Sequence, residues 1–159
     1  MAPGNELMQM FSELAVCSPQ EVREAILELQ EALIASADTV GSDACPVKHV
    51  FAPGVYGREI TMPAGMFVIG RIHRHGHLNV ISKGRCRVLT EFGYDELTAP
   101  CTFASQPGAK RMVHVIEETV WTTVHLTNET DVDKIMAEVT ADAYEDIELV
   151  GECYRAEGV

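Results

Sequence analysis

Apolar residues recur three and four positions apart across 18–36, at Val22, Ile26, Leu27, Leu29, Leu33 and Ile34. That period lines them along one side of a helix. Ser18 as cap, Pro19 at the first helical position and Glu21 at the third form a capping box with a proline start. Upstream, Leu7, Met10, Phe11 and Leu14 predict a shorter amphipathic helix over 5–16. Both stripes suit packing on the main body or on a partner chain. From about Val47 the apolar period shortens to two, and Gly and Pro punctuate the chain. Strands are predicted at 55–62, 66–75, 77–82, 85–91, 94–99, 101–105, 110–116 and 119–126. Turns fall at Pro63-Ala64-Gly65, Lys83-Gly84, Phe92-Gly93 and Gln106-Pro107-Gly108. Short strands joined by tight turns predict a mainly β fold, a barrel or a double-sheet jelly roll. A helix follows over 130–141, with Thr130 or Asp131 as its cap, and the tail carries Tyr144, Ile147 and Leu149 as docking residues. The chain thus divides into an N-terminal helical segment (1–46), a β-barrel (47–127) and a C-terminal helix with an acidic tail (128–159).

With 159 residues, 47% hydrophobic and 23% charged, the chain has the material for one domain with a real core. No apolar run approaches the roughly 20 residues that span a bilayer. The N-terminus lacks a basic region followed by an apolar stretch, so no signal peptide is expected. Cys17, Cys45, Cys86, Cys101 and Cys153 are scattered and form no C-x-x-C pair, which predicts free thiols in a reducing compartment. A net charge of −12 argues against nucleic acid and against an anionic membrane surface as partners. The basic residues Arg71, Arg74, Lys83, Arg85, Arg87, Lys110 and Arg111 cluster mid-chain between acidic ends. They pair either with the protein's own acidic shell or with a neighbouring subunit.

The chemistry concentrates at 70-GRIHRHGHLNVISKG-84. His73, His75, His77 and Asn79 alternate, so on one strand all four project from one face. Imidazole is the commonest protein ligand for Zn, Fe, Ni and Cu. Two or three histidines from this strand with His114 from a later one would make a metal site. His125, late in the last run, and His49, ahead of the barrel, are weaker candidates. The same face could instead line a polar interior or a pH-responsive subunit contact. Glu59 reads as a surface strand residue, Trp121 as core or interface, Glu117-Glu118 as a solvated turn, and Cys86 and Cys101 as small buried hydrophobes. No nucleophile–base motif or phosphate loop is present, and no catalytic residue is assigned.

Gly70, His73-x-His75, the Asn79 position and Gly84 resemble the first cupin motif, and the Pro107-Gly108 turn resembles the second. The longer runs H-x-H-x-H-x-N-x-x-S-K-G, AP-x-TFAS-x-PG-x-KR and EETVWTTVH-x-T-x-ETD resemble small cupin-like proteins of tailed bacteriophages and prophages, over about 55–135. The resemblance implies a cupin-type jelly-roll β-barrel with added helices. It implies His73 and His75 as first-motif metal ligands, with Asn79 where that motif usually has Glu. Arg111 stands where the second motif usually has His, and His114 follows three residues later with opposite strand parity. His77 is then the replacement ligand and His114 the next. Asn79 and Arg111 are either part of the site or polar lining, and a guanidinium there repels a cation. The cofactor implied is a divalent metal (Zn, Fe, Ni or Mn). The role implied is a non-enzymatic, homo-oligomeric virion or accessory component, in the host cytoplasm or the virion, with other virion proteins as partners. The alternative is a metal-dependent dioxygenase, isomerase or lyase acting on a small polar substrate, with Arg71, Arg74, Arg85 or Arg87 binding a carboxylate if one faces inward; strand parity turns Arg74 out. A non-catalytic sensor or sugar-binding module is a third possibility on the same barrel.

Overall fold

The computed structural model describes residues 3–36 and 40–147. Two helices come first, α1 (Pro3–Leu14) and α2 (Pro19–Ala35). The capping box starts α2 as its sequence predicts: the Glu21 carboxylate accepts from the Ser18 backbone N–H at 2.8 Å, and the Ser18 hydroxyl accepts from the Glu21 N–H. Phe11, Val22 and Ile26 are buried against Leu89 and Met112, with Phe67 and Ile69 beside them. The two stripes therefore cover the protein's own barrel. Each fully buried side chain of this kind contributes about 1.5–3 kcal/mol. Arg23 adds a bidentate ion pair to Glu91, whose side chain is almost fully buried, with Nη2 to Oε1 at 2.7 Å. The other side of its guanidinium lies 4.4 Å from the centre of the Tyr144 ring, which ties the C-terminal segment to the helical layer. Lys110 reaches Gln30 of α2 at 2.6 Å and the Gly70 carbonyl at 2.8 Å.

The strands are β1 (Val47–Ala52), β2 (Val55–Met62), β3 (Phe67–Ile69), β4 (Ile72–His73), β5 (His77–Thr90), β6 (Gly93–Thr98), β7 (Cys101–Ser105), β8 (Met112–Leu126) and β9 (Thr140–Ala141). The main sheet is antiparallel in the order β1-β2-β8-β5-β6, with β3 on β8 and β7 on β5. The long strands β5 and β8 pair along their length and run through both layers. Half of each pairs with β2 and β7, the other half with β3 and β6. Between the layers lie Met62, Ile81, Cys86, Val88, Val113, Val115 and Trp121. The fold is the expected mainly β jelly roll with N-terminal helices and a C-terminal helix.

Two predicted turns are absent because the chain bends without leaving the ladder. Lys83-Gly84 lies inside β5, where register shifts between Ile81 and Cys86 mark bulges. Gly84 has φ +89°, and a Cβ there would overlap the Glu118 carbonyl, so the strands cross too closely for any side chain. Glu117 and Glu118 lie inside β8, exposed, and pair with Arg85 and Lys83. The predicted strand 66–75 is divided at Gly70-Arg71 into β3 and β4 and ends at His73.

Beyond β8, Asp131 caps α3 (Val132–Val139) by accepting from the N–H groups of Asp133 and Lys134. Ile135 and Val139 pack on Tyr56, and β9 pairs with β4. The expected docking residue Leu149 and the expected free thiol Cys153 lie outside the described residues. Cys17, Cys45, Cys86 and Cys101 are free thiols. Among the described residues no helix is long and apolar enough to cross a membrane.

Candidate metal centre

Strand register builds the barrel interior in rows. Tyr56 on β2 faces His125 on β8, and the Leu78–Val124 pairing sets His77 of β5 beside His125. His77 in turn faces Ser105 on β7. The next row is Arg58, Thr123, Asn79 and Phe103, and the one after it is Ile60, Trp121, Ile81 and Cys101. The interior thus runs from an apolar end to a polar end, and α3 covers Tyr56 at the polar end.

His73 reaches the polar end from β4. Its ring centroid lies 4.2 Å from that of His77 and 5.7 Å from that of His125, and His77 and His125 are 4.7 Å apart. One ligand nitrogen from each of the three lies within 4.8 Å of the others. Burial is the first cause that holds all three rings neutral. It pushes His77 down to about 3 and His125 down to about 4, and His73 lower still, with the Arg111 charge adding to the shift in each. Neutral imidazole is the metal-binding form.

Arg111 is buried beside the histidines, 7% exposed. Its Nη2 donates to His77 Nε2 at 3.2 Å, to Asn79 Oδ1 at 3.3 Å and to the Ser105 hydroxyl. A guanidinium can only donate, so His77 Nε2 must accept. The ring proton is then on Nδ1, which donates to the His75 carbonyl at 3.1 Å. Asn79 is fully buried. Its oxygen accepts from Trp121 Nε1 at 3.0 Å as well as from Arg111, and its amide donates to Ser105 Oγ at 2.8 Å and to the His77 carbonyl at 3.3 Å. Both lone pairs of the Asn79 oxygen are thereby committed, and the residue brackets the site as lining.

The structure brings His73 and His77 together and sends His75 and His114 elsewhere. His73, His75 and His77 do not share one strand. Arg74 turns to the C-terminal segment, donating to the Thr140 and Asp146 carbonyls at 2.7 and 2.6 Å, and the chain bends there. The His75 ring is exposed on this bend, and the residue serves the cluster through its carbonyl. His114 has the parity of Met112, on the helix-covered side of β8, and stacks on Phe67 at 4.6 Å. His125 completes the triad. It has the parity of Trp121 and Thr123, the period-two signal that could have found it. Arg58 is inward by the same rule, in line with Tyr56 and Ile60. The arginines considered as inward carboxylate binders lie outside: Arg71 pairs with Asp142, Arg85 with Glu96 and Glu117, and Arg87 with Glu96, while Arg74 is spent on backbone carbonyls. His49 bonds the Tyr56 hydroxyl at 2.7 Å through Nδ1, and its backbone lies on the exposed strand β1.

These residues fit a divalent transition metal. His73 Nδ1 is a buried nitrogen with no hydrogen-bond partner, and two further neutral imidazoles stand beside it. An all-nitrogen set suits Zn, Ni, Cu or Fe better than Mn, which prefers oxygen ligands. Binding through His77 Nε2 requires that nitrogen to exchange the Arg111 hydrogen bond for the metal.

No protein-family model matches the chain, and no curated protein matches it. Among solved structures it is similar to KdgF from Halomonas sp. (TM-score 0.48, 12% identity, covering 60% of this chain and 90% of that one). It is also similar to a cupin 2 domain-containing protein from Halorhodospira halophila (0.45, 15%, 64% and 82%) and to an oxalate decarboxylase variant from B. subtilis (0.48, 12%, 57% and 27%). By its own strand order and register, the chain is an antiparallel jelly roll with a histidine triad at the polar end of its interior.

Proposed function

We propose that the protein is a metal-dependent small-molecule-binding barrel of the cupin type, in which His73, His77 and His125 hold a divalent transition metal. The observation that carries this reading is the meeting of three neutral imidazoles, His77 and His125 buried and His73 half-buried with an unpartnered nitrogen. A bound metal would supply Lewis acidity or an activated water at the polar end of the interior. The protein's own residues do the rest. The His75 carbonyl holds the His77 proton on Nδ1 and leaves Nε2 for the metal once Arg111 yields it, and α3 packs over Tyr56 at the polar end. Protein purified without an affinity tag is expected to carry about one Zn, Ni, Cu or Fe per chain by elemental analysis, the stoichiometry of a single three-histidine centre. A His73→Ala/His125→Ala double variant that keeps its circular dichroism spectrum should lose it. Wild-type protein that is metal-free and takes up none of these ions on dialysis sinks the reading.

A second reading, the oligomeric structural component, is favoured by one feature. β1 is an edge strand exposed along its whole length, and Val47, Val50 and Phe51 stand out from it, with Leu126 exposed nearby at the end of β8. An uncovered apolar edge is a ready surface for pairing with another copy. Light scattering on wild type and on Val50→Lys/Phe51→Glu decides it: a defined oligomer dissociated by the substitutions supports the reading, and a monomer removes it.

A further inference from the structure

We infer that residues 132–146 are a clamp on the metal centre, with Arg74 as its positioning residue, so that docking of this segment and binding of the metal strengthen one another. The three histidines are not mounted alike. His77 and His125 ride on β5 and β8, the long strands of the main sheet. His73 stands on β4, a two-residue strand in a separate two-stranded sheet whose other member is β9. One flank of β4 is held by the turn at 108–109. There the His73 N–H donates to the Ala109 carbonyl at 3.1 Å, and the His73 carbonyl accepts from the Gly108 N–H at 2.7 Å. The other flank belongs to the C-terminal segment, and Arg74 ties it there. The Arg74 backbone N–H donates to the Val139 carbonyl at 2.9 Å, its Nε to the Thr140 carbonyl at 2.7 Å and its Nη1 to the Asp146 carbonyl at 2.6 Å. The chain bends at this residue, and just beyond it the His75 carbonyl receives the His77 Nδ1 proton. Arg74 therefore sets the place of one imidazole and, through the His75 carbonyl, the ring orientation of a second. The segment is itself pinned at both ends. Ile135 and Val139 of α3 pack on Tyr56, and Tyr144 lies over the guanidinium of Arg23, which is paired with Glu91. A two-residue ladder opens more readily than the long β5–β8 ladder. When β9 leaves, His73 loses one of its two flanks while His77 and His125 keep their strands. A centre that needs all three nitrogens then loses affinity, and by linkage a metal on those nitrogens holds the segment down.

This inference rests on the reading of His73, His77 and His125 as a metal centre, and its test separates the two. Zinc affinity is measured by competition against a chelating dye for wild type, Arg74→Gln, Arg74→Lys and the surface change Lys83→Gln in the bulged part of β5. Loss of a cation near the centre would by charge alone tighten zinc binding. A positioning role has the opposite sign: Arg74→Gln should weaken zinc at least about tenfold, as for other residues that orient metal ligands. Arg74→Lys, which can reach one of the two side-chain-bonded carbonyls, should recover part of the loss, and Lys83→Gln should change nothing. The reciprocal effect needs no change at Arg74. Amide hydrogen exchange, read by mass spectrometry, should slow at least about fivefold over 139–146 when zinc is added to wild type, and by less over α1. His73→Ala should remove that protection, because the link between segment and metal is gone. Unchanged or tighter zinc binding in folded Arg74→Gln, or bound zinc that leaves 139–146 unprotected, overturns the clamp and leaves the metal centre standing. If Arg74→Gln does not fold, the exchange measurement on wild type decides alone. Wild-type protein that takes up no zinc overturns the metal centre and the clamp with it.

Discussion

Asn79 stands where a metal-dependent cupin motif would place glutamate, and its side chain has a different task. Its oxygen receives Trp121 and Arg111, and its amide reaches Ser105 and the His77 carbonyl. The position therefore needs an acceptor and a donor on one short, neutral side chain. Asn79→Leu would leave the Trp121 N–H unpaired in the core and remove one of three acceptors from a buried cation. The expected loss is about 3 kcal/mol in urea unfolding, since each unsatisfied buried donor costs roughly 1–3 kcal/mol. Asn79→Asp should cost less, because a carboxylate keeps both acceptor contacts and pairs with Arg111. If Asn79→Leu unfolds within about 1 kcal/mol of wild type, below the cost of one unpaired buried donor, the bracketing role is wrong. At this scale much of the site was legible. Alternation alone marks His77 and Asn79 as inward, and the same counting applied to Tyr56-Arg58-Ile60 and Trp121-Thr123-His125 finds the other two contributors. It also turns His114 away, because that residue shares parity with Met112 on the helix side.

The element scale is where local pattern fails. Strands 55–62 and 101–105 appear where alternation places them, because each pairs in simple register with a neighbour. The break after His73 has no local signal. It is set by Arg74 bonding the Thr140 carbonyl, 66 positions away in sequence, and by β9 competing for β4. Gly84 misleads in the opposite direction. A glycine after lysine reads as a turn, but here it lets β5 pass the Glu118 backbone and bend from one layer to the other. Gly84→Ala should therefore be severe. It adds a backbone clash to a positive φ, mechanisms that together exceed about 3 kcal/mol. Loss of soluble protein, or a midpoint shift of that size against a loss of only about 1–2 kcal/mol for Gly65→Ala, is the expected result. Gly65 also has positive φ but meets nothing within 4 Å, so the pair separates strain from collision. Equal effects at both positions would contradict the close crossing.

At the scale of the whole molecule, three imidazoles gathered at the polar end of the interior tie stability to pH. Their unfolded values are near 6.5, while His77 is held at about 3 and His125 at about 4, with His73 lower, chiefly by burial and then by neighbouring positive charge. Above pH 6.5 both states are neutral at these rings, and folding is undisturbed. As pH falls below 6.5 the unfolded chain takes up protons that the native rings refuse, so unfolding free energy drops, and it continues to drop until the folded values are reached. Each group contributes a slope of about 1.4 kcal/mol per pH unit within that window. By pH 5 the loss is about 2 kcal/mol per ring, and the three together rival the whole stability of a typical domain. The metal-free protein should accordingly unfold in acid near pH 5, before most carboxylates titrate. His125→Gln should make the decline between pH 6.5 and 5 shallower by about one third, since one of three protons no longer binds. Urea midpoints followed by circular dichroism at half-unit pH steps measure both, and a midpoint that stays flat from pH 7 to 5 would show that the triad is not buried as a neutral cluster. The same linkage makes a bound metal protective. A cation on the three nitrogens competes with protons for the same lone pairs, so zinc-loaded protein should hold its midpoint to lower pH than the chelated form.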